Sequence, residues 1–330
     1  MSITAEAAWA HLNALAKPPG SLGRLESLAA RLAVIQQSLR PVTRPRRLVL
    51  FAGDHGVAAS GVTAWPSSVT GAMIGMICAG RASSSALARA QGTDLRLVDV
   101  GSLSATANPP AFFRDARIAA GTADLSRGAA MTPEAFDAAW TIGEEEARLA
   151  HAGGFKVLIA GEMGIGNTTP AACLTMLLTG AELATGRGAG ADDDMLARKT
   201  AIVEAAVARA RSLDPKTGIA ALCGFEIAAM AGFFAQAAWQ GSTILLDGYV
   251  TTAAALIADH LCPGTAARMI AAHLSAEPGH RAALDALGLE PLLDWNMRLG
   301  EGTGALTALP LLDSAAALMS DVALLSEVAP

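Results

Sequence analysis

The stretch Val157-Leu158-Ile159-Ala160-Gly161-Glu162-Met163-Gly164-Ile165-Gly166-Asn167-Thr168-Thr169-Pro170 runs from an apolar segment through a glycine turn into the helix-like segment Ala171 to Leu178. A strand that meets a helix with almost no spacer is where an α/β protein collects phosphate. The open amides of the first helical turn and the helix dipole both favour an anion. Gly164 and Gly166 let the backbone approach a ligand closely, Thr168 and Thr169 offer capping hydroxyls, and Pro170 suits the first helical position. Glu162 is the unusual member: it would repel a bare phosphate, so it is expected to face a cationic, sugar or ring portion of a larger phosphorylated ligand. The plainer alternative is that it only ends a strand. The stretch is not a Walker loop, because no Gly-Lys-Ser/Thr follows the glycines, and Thr169 stands where a dinucleotide fingerprint requires its third glycine.

Working outward, short β-branched or leucine-rich runs recur at Leu48 to Phe51, Leu95 to Val100, Ile244 to Leu246 and Met269 to Ala272, with helix-like segments between them. Thr132-Pro133 starts one helix, which Gly153-Gly154 ends, and Asp192, Asp193 and Asp194 open another that runs to about Ser212. This alternation predicts an α/β chain with a mostly parallel, Rossmann-like sheet flanked by helices on both faces, and such sheets bind ligands at the carboxyl ends of their strands. The loops Gly53-Asp54-His55-Gly56, Gly161-Glu162 and Asp247-Gly248-Tyr249 are therefore expected to converge on one crevice. The flanks read as helical. They are expected to form a small all-α domain, residues 1–40 plus 291–330, beside a large domain of residues 41–290; a helical cover over the same core fits them equally well.

The composition excludes several classes. A chain of 330 residues, 52% hydrophobic, has the length for one large core or for a main domain with a companion. A net charge of -6 with 16% charged residues supplies no basic stripe for nucleic acid. Cys78, Cys173, Cys223 and Cys262 are scattered without a Cys-x-x-Cys pair, as expected of reduced thiols in a cytoplasmic protein. Met1 to Trp9 lacks a basic region followed by an apolar one, so no secretory signal is expected. Residues 227 to 246 are free of charge, but Gln236, Gln240, Gly241, Ser242 and Thr243 interrupt them, which predicts a buried helix and strand rather than a membrane span.

A second glycine-flanked carboxylate stands in Leu299-Gly300-Glu301-Gly302-Thr303-Gly304-Ala305, where the missing side chains open Glu301 to a ligand. Two such glutamates resemble the acid and base of a glycosidase, and the phosphate loop directs that analogy to phosphorylated sugars. Lys199 follows the glycine-rich Gly186-Arg187-Gly188-Ala189-Gly190 and is placed to pair with phosphate or with Glu162. His273, Glu277 and His280, with Asp54-His55, have the residue types of a metal site. Pro278 and Gly279 break the helix that would align them.

Taken in order along the chain, these blocks resemble the nicotinate-nucleotide:dimethylbenzimidazole phosphoribosyltransferase family. The likeness runs through Lys17 to Glu26, Phe51 to Val57, Gly161 to Pro170, Gly186 to Gly188, Leu246 to Gly248, His273 to His280 and Arg298 to Gly302. The resemblance implies transfer of phosphoribose from nicotinate mononucleotide to a benzimidazole, in a dimer that uses small-molecule substrates and requires no cofactor and no metal. It places the general base on Glu301 and the phosphate contacts on Gly164, Ile165, Gly166, Asn167, Thr168 and Gly188. Glu162 and Lys199 fall near the ribose phosphate, and Asp247, Gly248 and Ser275 line the pocket. Glu162 is expected to stabilise positive charge on the sugar. One region departs from the family pattern: Gly71 and Ala72 follow Val69-Thr70 where relatives often present a glutamine. Thr63, Trp65 and Met73 are expected to line an apolar slot there that accepts several flat bases. Two other readings of the residues stand, a metal-dependent hydrolase using Asp54, His55, His273 and His280, and a nucleotide-binding regulator without chemistry.

Overall fold

The computed structural model describes residues 2–182, 184–188 and 190–328. Its centre is one six-stranded sheet of β1 (Arg46–Gly53), β2 (Asp94–Gly101), β3 (Phe113–Asp115), β4 (Val157–Met163), β5 (Thr243–Leu246) and β6 (Met269–Ala271). The order across the sheet is β3-β2-β1-β4-β5-β6, and every neighbouring pair is parallel. Chain order reverses between β1 and β4. A crevice opens at such a reversal, outside the carboxyl ends of the strands, because the connections leave in opposite directions.

Helices cover both faces. In chain order those of two turns or more are α1 (Ala5–Ala14), α2 (Arg24–Gln36), α3 (Ser68–Cys78), α4 (Ser83–Ala90), α5 (Pro133–Ala152), α6 (Thr168–Thr179), α7 (Asp193–Ala210), α8 (Pro215–Leu222), α9 (Phe225–Trp239), α10 (Tyr249–Leu261), α11 (Gly279–Ala286) and α12 (Thr303–Asp321). Side chains alternate across a strand, so each strand feeds two cores. Val49, Phe51, Leu158 and Ala160 pack with Phe136, Leu174, Phe233 and Ile257 from α5, α6, α9 and α10. Leu48, Leu50, Val157 and Ile159 pack on the other face with Leu32, Ile77, Leu309 and Leu312 from α2, α3 and α12. The segments at the two ends of the chain thus supply α1, α2 and α12 to one layer, where α2 packs against α1 and α12.

Local chemistry sets the helix limits. Thr132 caps α5 by accepting from Ala135 N at 3.2 Å, with Pro133 at the first position, and Asp192 caps α7 by accepting from Met195 N at 2.8 Å. The charge-free run proves to be most of α9, a turn at Gly241 and β5. Its helix is buried on nearly all sides, and among the described residues no helix is long and apolar enough to cross a membrane. Two glycines let α5 and α9 approach closely. A Cβ on Gly143 would lie 1.8 Å from Ala229 O, and one on Gly232 would lie 2.1 Å from Trp140 O.

The sheet differs from the sequence reading in two places. β3 is a three-residue edge strand with no apolar run to announce it. β4 continues through Gly161 and Glu162 to Met163, so these residues pair with Leu50, Phe51 and Ala52 of β1 rather than forming a turn. β1 extends to Gly53 and supplies the hydrogen-bonding partner that keeps β4 extended. Of the thiols, Cys173 and Cys223 are buried, Cys78 is half-buried and Cys262 is exposed.

Candidate active site

Because Glu162 belongs to β4, its side-chain direction follows from alternation: it points to the face that carries Leu158 and Ala160, while Gly161 and Met163 point to the other. Burial, and next the charges of Glu226 and Asp247, push the Glu162 carboxyl well above the usual carboxylate range, against the opposing hydrogen bond that Asn167 Nδ2 donates to its Oε2. Behind it lies a pair the sequence reading missed, His55 Nε2 and Glu226 Oε1 at 2.9 Å, both side chains enclosed. The available signal was the acid Glu226 in the first turn of α9, two positions after the N-cap Gly224.

The turn after β4 occupies Gly164 to Asn167. A Cβ on Gly164 would fall 2.4 Å from Gly53 O and 3.0 Å from His55 Nε2, so only glycine lets the turn lie against the end of β1. Ile165 N donates to Thr70 Oγ1 of α3 at 3.1 Å, which ties the turn to the opposite layer. Asn167 is the N-cap of α6, and its side chain is engaged by Glu162 instead of by the helix amides. Pro170 therefore sits at the third helical position, not the first; its missing N–H is still one that no turn of helix would have paired. Lys199 reaches the turn from α7. Its ammonium donates to Thr168 Oγ1 at 2.7 Å and to Gly186 O at 2.9 Å, and burial lowers it to about 8 despite the nearby Glu277. It contacts Thr168 rather than Glu162. Ala189, within the Gly186–Gly190 stretch, lies outside the described residues.

A third wall comes from β5 and β6. Asp247, at the end of β5, accepts from Gly302 N at 3.1 Å and from Ala305 N at 3.0 Å, and so fixes the start of α12. Ser275 N donates to His280 Nδ1 at 2.8 Å; Nε2 therefore carries the ring proton, which it donates to Thr252 Oγ1 at 2.9 Å, and that hydroxyl donates to Gly248 O at 2.8 Å. Burial, with the nearby His273 and Arg281, lowers His280 to about 3, so the ring is neutral and serves as a brace between Gly248 and Ser275.

Gly300, Glu301 and Gly302 follow with φ of +87°, +58° and +73°, three successive left-handed residues of which only the glycines adopt that region without cost. The loop crosses the end of β4 so closely that a Cβ on Gly161 would lie 2.6 Å from Gly302 N, and one on Gly300 would lie 2.1 Å from Glu162 Oε1. Glu301 is 3% exposed, and its Oε2 accepts from Ser84 Oγ at 2.9 Å and Ser84 N at 3.3 Å at the start of α4. Glu162 and Glu301 thus stand on opposite sides of the sheet edge with Gly300 between them.

These elements enclose a cleft of about 840 Å³, counting its open mouth. Thr63, Glu162, Gly164, Ile165, Gly166, Asn167, Thr168, Gly188, Asp247, Gly248 and Ser275 all line it. Arg187, Arg298, His273 and Glu277 join them; the sequence reading named the two arginines only within longer blocks and His273 and Glu277 only as metal-type residues. Glu301, Lys199, Trp65 and Met73 do not line the cleft. Lys199 supports the turn from beneath, Glu301 is turned to α4, Met73 packs on the second core and Trp65 is 52% exposed. Asp54, His55, His273 and His280 do not converge on a common point, and no group of three or more His, Cys, Asp or Glu among the described residues is arranged to hold a metal ion.

Comparison with known proteins gives a consistent result. A phosphoribosyltransferase family model matches residues 2–329. The chain is 44% identical over 319 residues to the nicotinate-nucleotide–dimethylbenzimidazole phosphoribosyltransferase of Azotobacter vinelandii, covering 96% of this chain and 91% of that one. It is 46% identical over 330 residues to the protein of the same name from Mycolicibacterium paratuberculosis, covering 97% and 93%. Among solved structures it superimposes on CobT from Thermus thermophilus with a TM-score of 0.94 at 41% identity, covering 98% of each chain.

Proposed function

The chain belongs to the nicotinate-nucleotide–dimethylbenzimidazole phosphoribosyltransferase family, and from that membership and the residues at the strand ends we propose that it moves phosphoribose from nicotinate mononucleotide to 5,6-dimethylbenzimidazole or a related base. The products are α-ribazole 5'-phosphate and nicotinate, and the reaction serves assembly of the lower ligand of cobalamin. One observation carries the reading: a helix N-terminus suited to an anion and a buried carboxyl suited to a cationic sugar sit side by side in one cleft, with a second glutamate across the strand end.

The phosphate lies against the turn from Gly164 to Thr168 and Gly188, with the Lys199 ammonium behind Thr168. Glu162 faces the ribose. Nicotinate bound through its ring nitrogen is already a cation, so cleavage of the C1'–N bond returns an electron pair to the ring and neutralises it, and no general acid is needed. The unprotonated nitrogen of the incoming benzimidazole attacks C1' from the opposite face, inverting that carbon to the α configuration, and Glu301 takes the proton from the other ring nitrogen. Charge that develops on the sugar is stabilised by Glu162, whose carboxyl is pushed upward by burial in the free protein and back down by a cationic ligand beside it. Thr63, which lines the cleft, borders the base. The protein acts as a homodimer in the cytoplasm.

Incubation with nicotinate mononucleotide and a panel of benzimidazoles, purines and phenols, followed by chromatography, tests this reading. Nicotinate and an α-riboside phosphate are expected with at least the dimethyl base. Absence of product with every base contradicts it.

A further inference from the structure

Ser84 has no assigned part in the site, yet it makes both hydrogen bonds that the described residues offer to the Glu301 carboxylate. Its Oγ donates to Oε2 at 2.9 Å, its amide donates to the same oxygen at 3.3 Å, and the serine is 0% exposed. Both bonds end on one oxygen. Oε1 makes no hydrogen bond to any described residue. The backbone of the same glutamate is held from the other side, where Asp247 accepts from Gly302 N, and Thr303 Oγ1 and N donate to Gly300 O at 2.7 and 3.0 Å. A side chain with three rotatable bonds on a left-handed backbone has many orientations available. Here the backbone is fixed at one end and the carboxylate at the other.

Resting on the reading of Glu301 as the base, we propose that Ser84 is its positioning residue and that Glu301 Oε1 is the atom that takes the proton. The amide and hydroxyl at the N-terminus of α4 hold Oε2 and favour the anion, and they leave the Oε1 lone pairs unengaged by any described residue. As the new C1'–N bond forms, the N–H proton of the incoming ring passes to Oε1, and the electron pair of the N–H bond restores the aromatic imine. The electron pair of the breaking C1'–N bond leaves with nicotinate. Ser84 touches no substrate; it acts by fixing where Oε1 stands, and misplacement of a base by about 1 Å costs on the order of 10²-fold in rate.

The test uses the full chain with nicotinate mononucleotide and whichever base the parent accepts. Ser84→Ala is expected to lower kcat about tenfold or more with KM for nicotinate mononucleotide unchanged, and Ser84→Thr, which keeps the hydroxyl, to recover most of the loss. In a Glu301→Ala background the Ser84→Ala change should add nothing, because the carboxylate it positions is gone. Parental kcat in Ser84→Ala, or an equal loss in both backgrounds, overturns the inference while leaving the reaction assignment intact. No product from the parent with any base overturns both.

Discussion

Glu162 is a carboxyl whose surroundings oppose its own charge, and that has a measurable sign. Its folded-state pKa stands above the unfolded value of 4.5, so the stability it contributes is complete below that value and is lost as pH rises through the folded one. Glu162→Gln keeps the shape without the charge. Its Tm should exceed the parent's by several degrees near pH 8 and match it near pH 4, and thermal melts at the two pH values check this; an equal difference at both contradicts it. Lys199 titrates from the other side. Its ammonium is lost as pH passes about 8, so KM for nicotinate mononucleotide should rise above that pH while kcat holds, and Lys199→Met should have a high KM without the pH response. At this scale the sequence shows which residues are chemically equipped but not which way they face. The glycines around Glu162 and Glu301 were legible as openings for a ligand. The placement of Glu301 against Ser84 was not, because Ser83-Ser84-Ser85 reads as ordinary helix-start chemistry and the contact spans 217 positions.

Elements in this fold meet at glycines, and two of them separate stability from activity. On Gly143 a Cβ would enter the carbonyl of Ala229, so Gly143→Ala must part α5 from α9. A loss of about 1–3 kcal/mol or more in denaturant unfolding is expected, with KM unaltered in the molecules that remain folded. Gly161→Ala places its methyl 2.6 Å from Gly302 N and 2.8 Å from Glu301 C, which pushes the loop that carries Glu301, the proposed base. Here kcat should fall by about 10²-fold, far out of proportion to the change in stability, in steady-state assays at fixed temperature. The capped helices α5 and α7 were readable to within a residue or two because Thr132-Pro133 and Asp192 act locally. β3 and the last three residues of β4 were not. Their extended conformation comes from neighbouring strands, which a local pattern of residues does not contain.

For the molecule as a whole, the order β3-β2-β1-β4-β5-β6 places the Gly164 to Asn167 turn, which follows β4, at the point where the strand order reverses. The alternation of apolar runs and helix patterns implied that crevice before any coordinates, since parallel strands require crossovers and these deliver their loops to one edge. The proposed homodimer should sediment with the mass of two chains, and a single-chain mass at assay concentration would contradict that assembly. The central claim is a divided site, with the substrate anchored at Gly164 to Thr168 and the proton removed at Glu301. Glu301→Gln tests it most directly, because the amide keeps the size and the Ser84 contact and removes the base. With nicotinate mononucleotide and dimethylbenzimidazole, kcat should fall about 10²–10⁴-fold while the affinity for nicotinate mononucleotide stays within about twofold. A variant that turns over at the parental rate would contradict the account.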